Sequence, residues 1–580
     1  MSPAPHGGRG RGGRGAAAAA RAAGAGAVAA DAPLWILTAA QMRAVDARAA
    51  REPGLPVALL MERAGAGALA AMEARFGDLR GYRVAVLCGR GHNGGDGLVL
   101  ARRLAARGAA VEVAVLAPRA ELGGVVADNA AALVAAGVPL VEIADAAGLE
   151  RWLGERPWDY AADALLGTGA RGAPAGLFAD AVAALNRARA RGTRVVALDL
   201  PTGLDADTGA AAEPCVAADL TVTFGYLKRG HVVYPGRRLC GAVEVVDIGI
   251  PPAAAVAEGC RVELFGPRAA AALAPRRAET AHKGSAGHGL LVGGSVGLTG
   301  AVALASEAAL RAGLGLVYAA VPASLDEALE ARLTEPITVP VAETAARAIA
   351  PAAVPAIAER ARGVDALAVG PGLGRHPEAP ELVLALLACA EVPVVVDADG
   401  LNALAATPEW WQRARGPLVV TPHLGEMSRL TGVPVAKLEQ TRLDAAADAA
   451  ARWGVTVLLK GAPTVVAAPD GRVTVNPSGN PGMASAGMGD VLTGCVLAFL
   501  AQGLAPYDAA RLAAYVHGRA ADRVCARRGV ALCLAGEVGR ELPAALAELA
   551  RVAGAPALPP PLPASRRLPP ADTEIPWAGS

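Results

Sequence analysis

The sequence predicts an α/β chain of two domains, each built around buried parallel strands. Three observations carry that expectation. Short apolar runs, such as RVAVLC (Arg83–Cys88) and the VPVVVD that opens Val392–Leu404, alternate with longer segments of helical periodicity in both halves. Polar, glycine-bearing segments follow these runs, at the strand ends where open α/β sheets hold ligands. At 580 residues the chain exceeds what one core organises, and 53% apolar residues supply ample interior.

Composition narrows the function classes. A net charge of +1 gives no global attraction to nucleic acid or to an acidic membrane. No uninterrupted apolar run reaches the length of a membrane-spanning helix. The eight cysteines form no C-x-x-C pair and no zinc spacing, which fits a reducing cytoplasm. Residues 1–30 carry RGRGGRG and an alanine-rich stretch with no acid before Asp31, and are expected to be a disordered tail. Arg–Gly tracts also bind RNA, but this one lacks the apolar core of a signal peptide. Residues 556–580 are proline-rich and are expected to be a second disordered tail.

In the first half, Thr38 to Phe76 reads as two helices from the apolar spacing of AQMRAVDARA. RVAVLC is a buried strand, GRGHNGGDG (Gly89–Gly97) a glycine-rich loop, and LVLARRLAARG a helix. That order makes a phosphate cradle, although neither G-x-G-x-x-G nor G-K-[ST] is present. Val111–Ala117 is a strand and Val125–Ala136 a helix. Asp163 lies at the end of a strand before GTGARGA (Gly167–Ala173), and Arg194–Asp199 is a strand running into LPTGLDADTG. Singly each aspartate is a turn former. Three such loops at one sheet edge favour a site.

HNGGDG, DALLGTG, DLPTGLD and FGYLKRGHVVYPG, in that order, resemble the YjeF N-terminal domain, the NAD(P)HX epimerase family. The resemblance spans roughly residues 37–250 and implies a Rossmann-like three-layer sandwich. It implies substrate binding by His92, Asn93, Gly94, Gly95 and Asp96, by Gly167, Thr168, Gly169, Ala170, Arg171, Gly172 and Ala173, and by Asp199. It implies a potassium ion on Asn93, Asp163 and Thr202, a hard oxygen set suited to an alkali cation. Asp199 is the candidate acid/base. His92 departs from the family, which usually has a second asparagine there. Lys228 is expected at the surface or on a phosphate.

The second half opens after an expected linker, residues 256–274. HKGSAGHGLLVGG and the residues to Pro322 read as strand, turn, helix and strand, with Ala301 and Ala305 keeping the helix narrow beside a ligand or a neighbouring strand. Four further apolar runs end in polar groups: ALAVGPGLG (Ala366–Gly374), VPVVVDADGLNAL with Asp397 and Asp399, LVVTPHLGEMSRL with His423 and Glu426, and VTVLLKGAPTVV with Lys460. Asn476–Gly494 then reads NPSGNPGMASAGMGDVLTG, four glycines leading to Asp490 at the head of an apolar helix. Backbone N–H groups at such a helix start bind anions. An aspartate there can deprotonate a hydroxyl that attacks a phosphoryl group.

GPGLG, DADGLNAL, TPHLGE, KGAPT and NPGMASAGMGDVLTG resemble the YjeF C-terminal, ribokinase-like family of ADP- or ATP-dependent NAD(P)HX dehydratases. The resemblance implies an epimerase domain over 31–255 and a dehydratase domain over 275–555. It also implies ADP with Mg2+, and NADHX and NADPHX as the small-molecule substrates. Ala301, Gly372, Gly374, His423 and Asp490 would meet the hydrated cofactor. Lys460, Gly461, Ala462, Pro463, Thr464 and Gly489 would line the nucleotide site, and N–H groups of Ala486–Gly489 would hold the transferring phosphoryl. Glu426 and Asp397 are candidate Mg2+ ligands, each also explicable as structural. A cytoplasmic homo-oligomer with no nucleic-acid or membrane partner is expected. The competing readings are a kinase of a vitamin-precursor alcohol with a non-catalytic first domain, and an RNA-binding scaffold aided by the arginine–glycine tail.

Overall fold

In a computed structural model, residues 33–51, 55–154 and 156–554 are described; both expected tails lie outside the described residues. The first strands in chain order are β1 (Leu34–Leu37), β2 (Arg83–Cys88), β3 (Ala110–Val115), β4 (Leu140–Glu142), β5 (Tyr160–Ala164), β6 (Arg194–Leu198), β7 (Leu220–Phe224), β8 (Leu227–Lys228), β9 (Ala242–Val246) and β10 (Val262–Leu264). Then come β11 (His288–Val292), β12 (Leu316–Pro322), β13 (Ile337–Val341), β14 (Ala366–Val369), β15 (Val394–Val396), β16 (Leu418–Val420), β17 (Thr456–Leu459), β18 (Val465–Ala467) and β19 (Val473–Val475).

The first sheet has the order β4-β3-β2-β5-β6-β7-β9, and every pairing is parallel. Its central strands are buried along nearly their whole length because helices cover both faces. Val86, Leu100 and Met72 belong to one covering core and Leu87, Trp152 and Leu185 to the other. A capping box between Thr38 and Gln41 starts the helix Ala39–Ala49 at the expected residue. Strand order reverses between β2 and β5, which sends Gly89 and Leu165–Gly167 into one crevice at the carboxyl edge.

The second sheet runs β13-β12-β11-β14-β15-β16-β17-β18-β19-β10-β1-β8, parallel from β13 to β17 and mixed beyond. Its order reverses between β11 and β14, so the Gly293–Leu298 and Gly370–Gly374 turns share a crevice.

Two expectations change. Residues 256–274 contain β10 and the helix Pro267–Leu273 instead of an open linker. The reason is a short Val-Glu-Leu alternation: Val262 and Leu264 are buried, and the strand pairs with β19 on one side and β1 on the other. Strands β10, β1 and β8, all earlier in the chain than β11, therefore extend the second sheet beyond β19, while the seven-stranded sheet remains separate. The second change concerns Gly89–Gly97. A helix, His92–Ala106, already includes HNGGDG. These glycines serve close approach: a Cβ on Gly94 would collide with the Gly89 carbonyl oxygen, and one on Gly97 would lie 2.5 Å from the Ala164 Cβ.

Candidate active sites

The crevice at the β2/β5 reversal opens into a cavity of about 1000 Å³. His92, Asn93 and Asp96 line it from the glycine-rich helix, Gly167, Thr168, Gly169 and Ala170 from the loop after β5, and Asp199 from the end of β6. Gly94 and Gly95 do not line it. Gly94 lies against Gly89, and Gly95 against Met61, where a Cβ would come within 2.6 Å of the sulfur. Arg171, Gly172 and Ala173 are exposed and lie outside the cavity lining.

Asp199 sits in the left-handed region at φ 65°, a strained conformation for a residue with a side chain. The surroundings fix it. Thr168 donates to its carboxylate through the backbone N–H at 2.7 Å and the hydroxyl at 2.6 Å. Lys228 Nζ donates to the other oxygen at 2.6 Å. Burial by itself would raise the pKa of Asp199, but Lys228 and Thr168 outweigh it and hold the pKa at about 2. Lys228 is thus neither a surface residue nor a free phosphate ligand: its side chain is 1% exposed, and it also donates to Thr223 Oγ1 at 2.8 Å. His231 completes the cluster. Its Nδ1 accepts the Lys228 N–H at 3.0 Å, which fixes the tautomer, so Nε2–H donates to the Asp199 carbonyl at 2.8 Å.

Asn93 in the first turn of the helix His92–Ala106, Asp163 near the end of β5 and Thr202 in the turn after β6 lie at the β2/β5 crevice. Both polar atoms of the Asn93 side chain are buried with no hydrogen-bond partner among the described residues. Asp163 is fully buried, accepting from Thr202 N–H at 2.8 Å, Thr202 Oγ1 at 2.7 Å and Leu165 N–H at 3.2 Å. Burial raises its pKa to about 6 against these bonds. Among the described residues no group of three or more His, Cys, Asp and Glu could hold a metal ion.

The second crevice collects a different set. Asp397, at the end of β15, is 1% exposed, with Lys460 Nζ at 2.6 Å on one oxygen and Thr493 Oγ1 at 2.6 Å on the other. Burial opposes its ionisation, but Lys460 and Thr493 prevail and its pKa falls. The next residue, Ala398, is again a non-glycine at positive φ, 50°. Glu426 Oε2 accepts the His423 N–H at 2.8 Å and lies 3.7 Å from Lys460. His423 Nδ1 accepts the N–H groups of Gly425 and Glu426, capping the helix Leu424–Thr431.

The glycine segment reaches this crevice as the start of the helix Met488–Ala501, with Gly487 at φ 87° as its N-cap. A Cβ on Gly489 would lie 3.5 Å from both Asp397 and Lys460, which places the helix start against the charged pair. Asp490 stands in the first turn. Burial and the neighbouring Asp397 charge raise its pKa to about 7, with Lys460 opposing. Ala301 faces Gly372, on which a Cβ would lie 3.1 Å from the Ala301 Cβ, and Gly374 N–H donates to Asp399 at 3.0 Å. Ala305 meets neither the ligand nor the strand expected: its backbone packs on Gly494 of the apolar helix, whose missing side chain permits the close helix contact. Thr464 Oγ1 donates to the Gly461 carbonyl at 3.0 Å, closing the Lys460–Thr464 turn, which includes a cis bond before Pro463.

Residues 57–230 match the family described as YjeF-related protein N-terminus, and residues 289–544 match NAD(P)H-hydrate dehydratase. The bifunctional NAD(P)H-hydrate repair enzyme of Moorella thermoacetica is 44% identical over 518 residues, covering 89% of this chain and 97% of that protein. The chain belongs to the bifunctional NAD(P)H-hydrate repair enzymes. Another member, from Escherichia coli, is 35% identical over 87% of this chain and 93% of its own length. A crystal structure of the ADP/ATP-dependent NAD(P)H-hydrate dehydratase from Bacillus subtilis is 32% identical, covering 49% of this chain and 98% of that one at TM-score 0.43. As a repair enzyme of this family, the chain carries groups whose contacts cannot be read from its motifs. Lys228 is visible in the sequence only as a cation in an otherwise apolar FGYL context. Thr493 sits one turn after Asp490. His517, buried in the helix Pro506–Arg528, has its pKa lowered to about 4 by burial and then by Lys460. Asp46 gives no signal beyond helical spacing.

Proposed function

We propose that the first cavity interconverts the two C6 epimers of hydrated NADH and NADPH, and that the second crevice dehydrates the S epimer with ADP and Mg2+. The family makes the chain an NAD(P)H-hydrate repair enzyme; the division of labour, nucleotide and residue roles are our reading. The single observation that carries it is Asp490: a carboxyl at a glycine-led helix start, raised to about 7, beside the Lys460–Asp397 pair.

In the dehydratase site the substrate hydroxyl is a poor leaving group, and phosphate is a good one. Asp490 takes the hydroxyl proton as the oxygen attacks the terminal phosphoryl group. The N–H groups of Ala486–Gly489 and the helix start hold the charge that develops there. Lys460, Gly461, Ala462, Pro463, Thr464 and Gly489 line the nucleotide side, while Ala301, Gly372, Gly374 and His423 flank the hydrated ring. Elimination of phosphate restores the ring. Asp397 has both oxygens engaged and Glu426 is tied to His423, so these residues fit a Mg2+ ion carried mainly by the nucleotide phosphates.

In the epimerase site, His92, Asn93, Asp96, Gly167–Ala170 and Asp199 surround the substrate. Asn93, Asp163 and Thr202 fit a potassium ion. The unpartnered, buried Asn93 amide oxygen needs such a partner, and a carboxylate, an amide and a hydroxyl form an all-oxygen set. The ion, held by these residues, would supply positive charge near the start of the helix His92–Ala106, where Asn93 lies. Domains over 31–255 and 275–555 remain our division, with β10 joining them.

The test is epimer exchange and dehydration measured separately. Racemic NADPHX without nucleotide should exchange epimers; added ADP and Mg2+ should restore near-ultraviolet absorbance. Stable phosphorylation of a pyrimidine alcohol without that recovery would favour the kinase reading.

A further inference from the structure

We propose that Asp46 is the proton donor of the epimerase cavity, facing the Asp199 cluster and delivering the proton on which the C6 hydroxyl departs. The inference rests on the epimerase reading of that cavity. Inverting C6 requires the C6–O bond to break on one face and form again on the other. The electron pair of the ring nitrogen moves into an N1–C6 double bond as the C–O bond breaks. Asp46 gives its proton to the hydroxyl oxygen as that bond breaks, so the oxygen leaves as water and Asp46 is left as the carboxylate. Water adds to the opposite face, loses a proton to the same carboxylate, and the nitrogen recovers its pair. Nothing is oxidised, and atoms and protons balance.

The cavity must therefore hold an acid that keeps a proton near neutrality and is free to give it. Asp199 does not meet that need. Two donors from Thr168, one from Lys228 and a longer one from Thr223 Oγ1 at 3.5 Å already occupy its carboxylate. Lys228 does not meet it either, since Nζ donates to Asp199, to Thr223 Oγ1 at 2.8 Å and to the Phe224 carbonyl at 3.4 Å. Asp46 lines the same cavity from the helix Ala39–Ala49, beside Met42 and Arg43. Its carboxyl is open to the cavity and has no hydrogen-bond partner among the described residues. The charged groups around it are Lys228 from β8, Asp199 after β6, Asp96 from the His92–Ala106 helix, and Arg43 one turn earlier on its own helix. Enclosure by the cavity walls and the Asp199 charge raise its pKa to about 6, with Lys228 opposing. Asp96, half-buried in the same cavity wall, is likewise pushed well above the usual carboxylate range by burial and by the Asp199 and Asp46 charges, so it is the rival acid that the experiment must separate from Asp46.

The experiment follows epimer exchange of NADHX in the full-length protein without nucleotide, from pH 5 to 9, with the uncatalysed rate subtracted. Wild type, Asp46→Asn, Asp46→Glu and Asp96→Asn are compared, with dehydration of S-NADHX as the folding control. Asp46→Asn should lose about 100-fold or more in kcat with KM little changed, and lose the alkaline fall of kcat/KM. Asp46→Glu should keep that fall, displaced in pH, with at least about a tenth of kcat. The inference is overturned if Asp46→Asn exchanges within about threefold of wild type, if it keeps the alkaline limb, or if the Glu variant leaves the limb unmoved. Abolition by Asp96→Asn with Asp46→Asn unaffected would also overturn it. No exchange by wild type would instead refute the epimerase reading, which keeps the two failures apart.

Discussion

At the scale of single residues, two aspartates at strand or helix ends are tuned in opposite directions. Asp199 is held ionised at about 2 by Lys228 and Thr168, while Asp490 is raised to about 7 by burial and Asp397. A base with the second value is protonated in acid, so dehydration should rise with pH through about 7 and level off above it. A dehydration rate that is flat from pH 5.5 to 8.5, within the usual span for a base titrating near neutrality, would contradict that assignment. Asp490→Asn should cut dehydration by about 100-fold or more and leave epimer exchange intact, read by two separate assays. Both aspartates are legible in the sequence because each ends a motif. Lys228 is not, since a lysine in FGYLKRG reads as solvent-facing until Asp199 is placed 2.6 Å from it. Asp46 is not either, since nothing local marks a helix residue as facing a cavity built from several distant segments.

At the scale of elements, the glycine motifs were legible as sites, but their geometry was not. HNGGDG belongs to a helix, and its glycines answer neighbours outside the motif, Gly89 and Ala164. Only tertiary contact reveals that demand. Gly94→Ala should therefore drive a Cβ into the Gly89 carbonyl and cost about 1–3 kcal/mol. The expected readout is a lowered midpoint in chemical unfolding and loss of epimer exchange, with dehydration retained. A variant with wild-type exchange would show that the close approach is dispensable. By contrast, the start of the Met488–Ala501 helix was readable directly, because a glycine run followed by an acid and a long apolar stretch allows few other foldings.

At the scale of the whole molecule, both sites sit where strand order reverses, β2/β5 in one sheet and β11/β14 in the other. Alternation of strand and helix made two α/β units readable. Their junction was not, because β10 is three residues long and each of its partners, β1 and β19, lies more than 200 residues away from it. Glu263 on that strand accepts Arg511 at 2.6 Å and Thr474 at 3.1 Å, and Arg511 packs between Phe265 and Tyr507. Arg511→Ala should cost about 1–3 kcal/mol at this half-buried junction, seen as a lower melting temperature with both activities present below it. An unchanged melting temperature would show that the junction does not depend on that clamp.

One coupled assay bears most directly on the claim that two separate sheet edges restore one damaged cofactor. Racemic NADPHX is incubated with ADP and Mg2+, and near-ultraviolet absorbance is followed to its plateau for wild type and Asp199→Asn. Wild type should recover the whole of the substrate, and the variant should stall after about half, when the S epimer is consumed and exchange fails. A wild-type plateau at half, or full recovery by Asp199→Asn at the wild-type rate, would contradict the account.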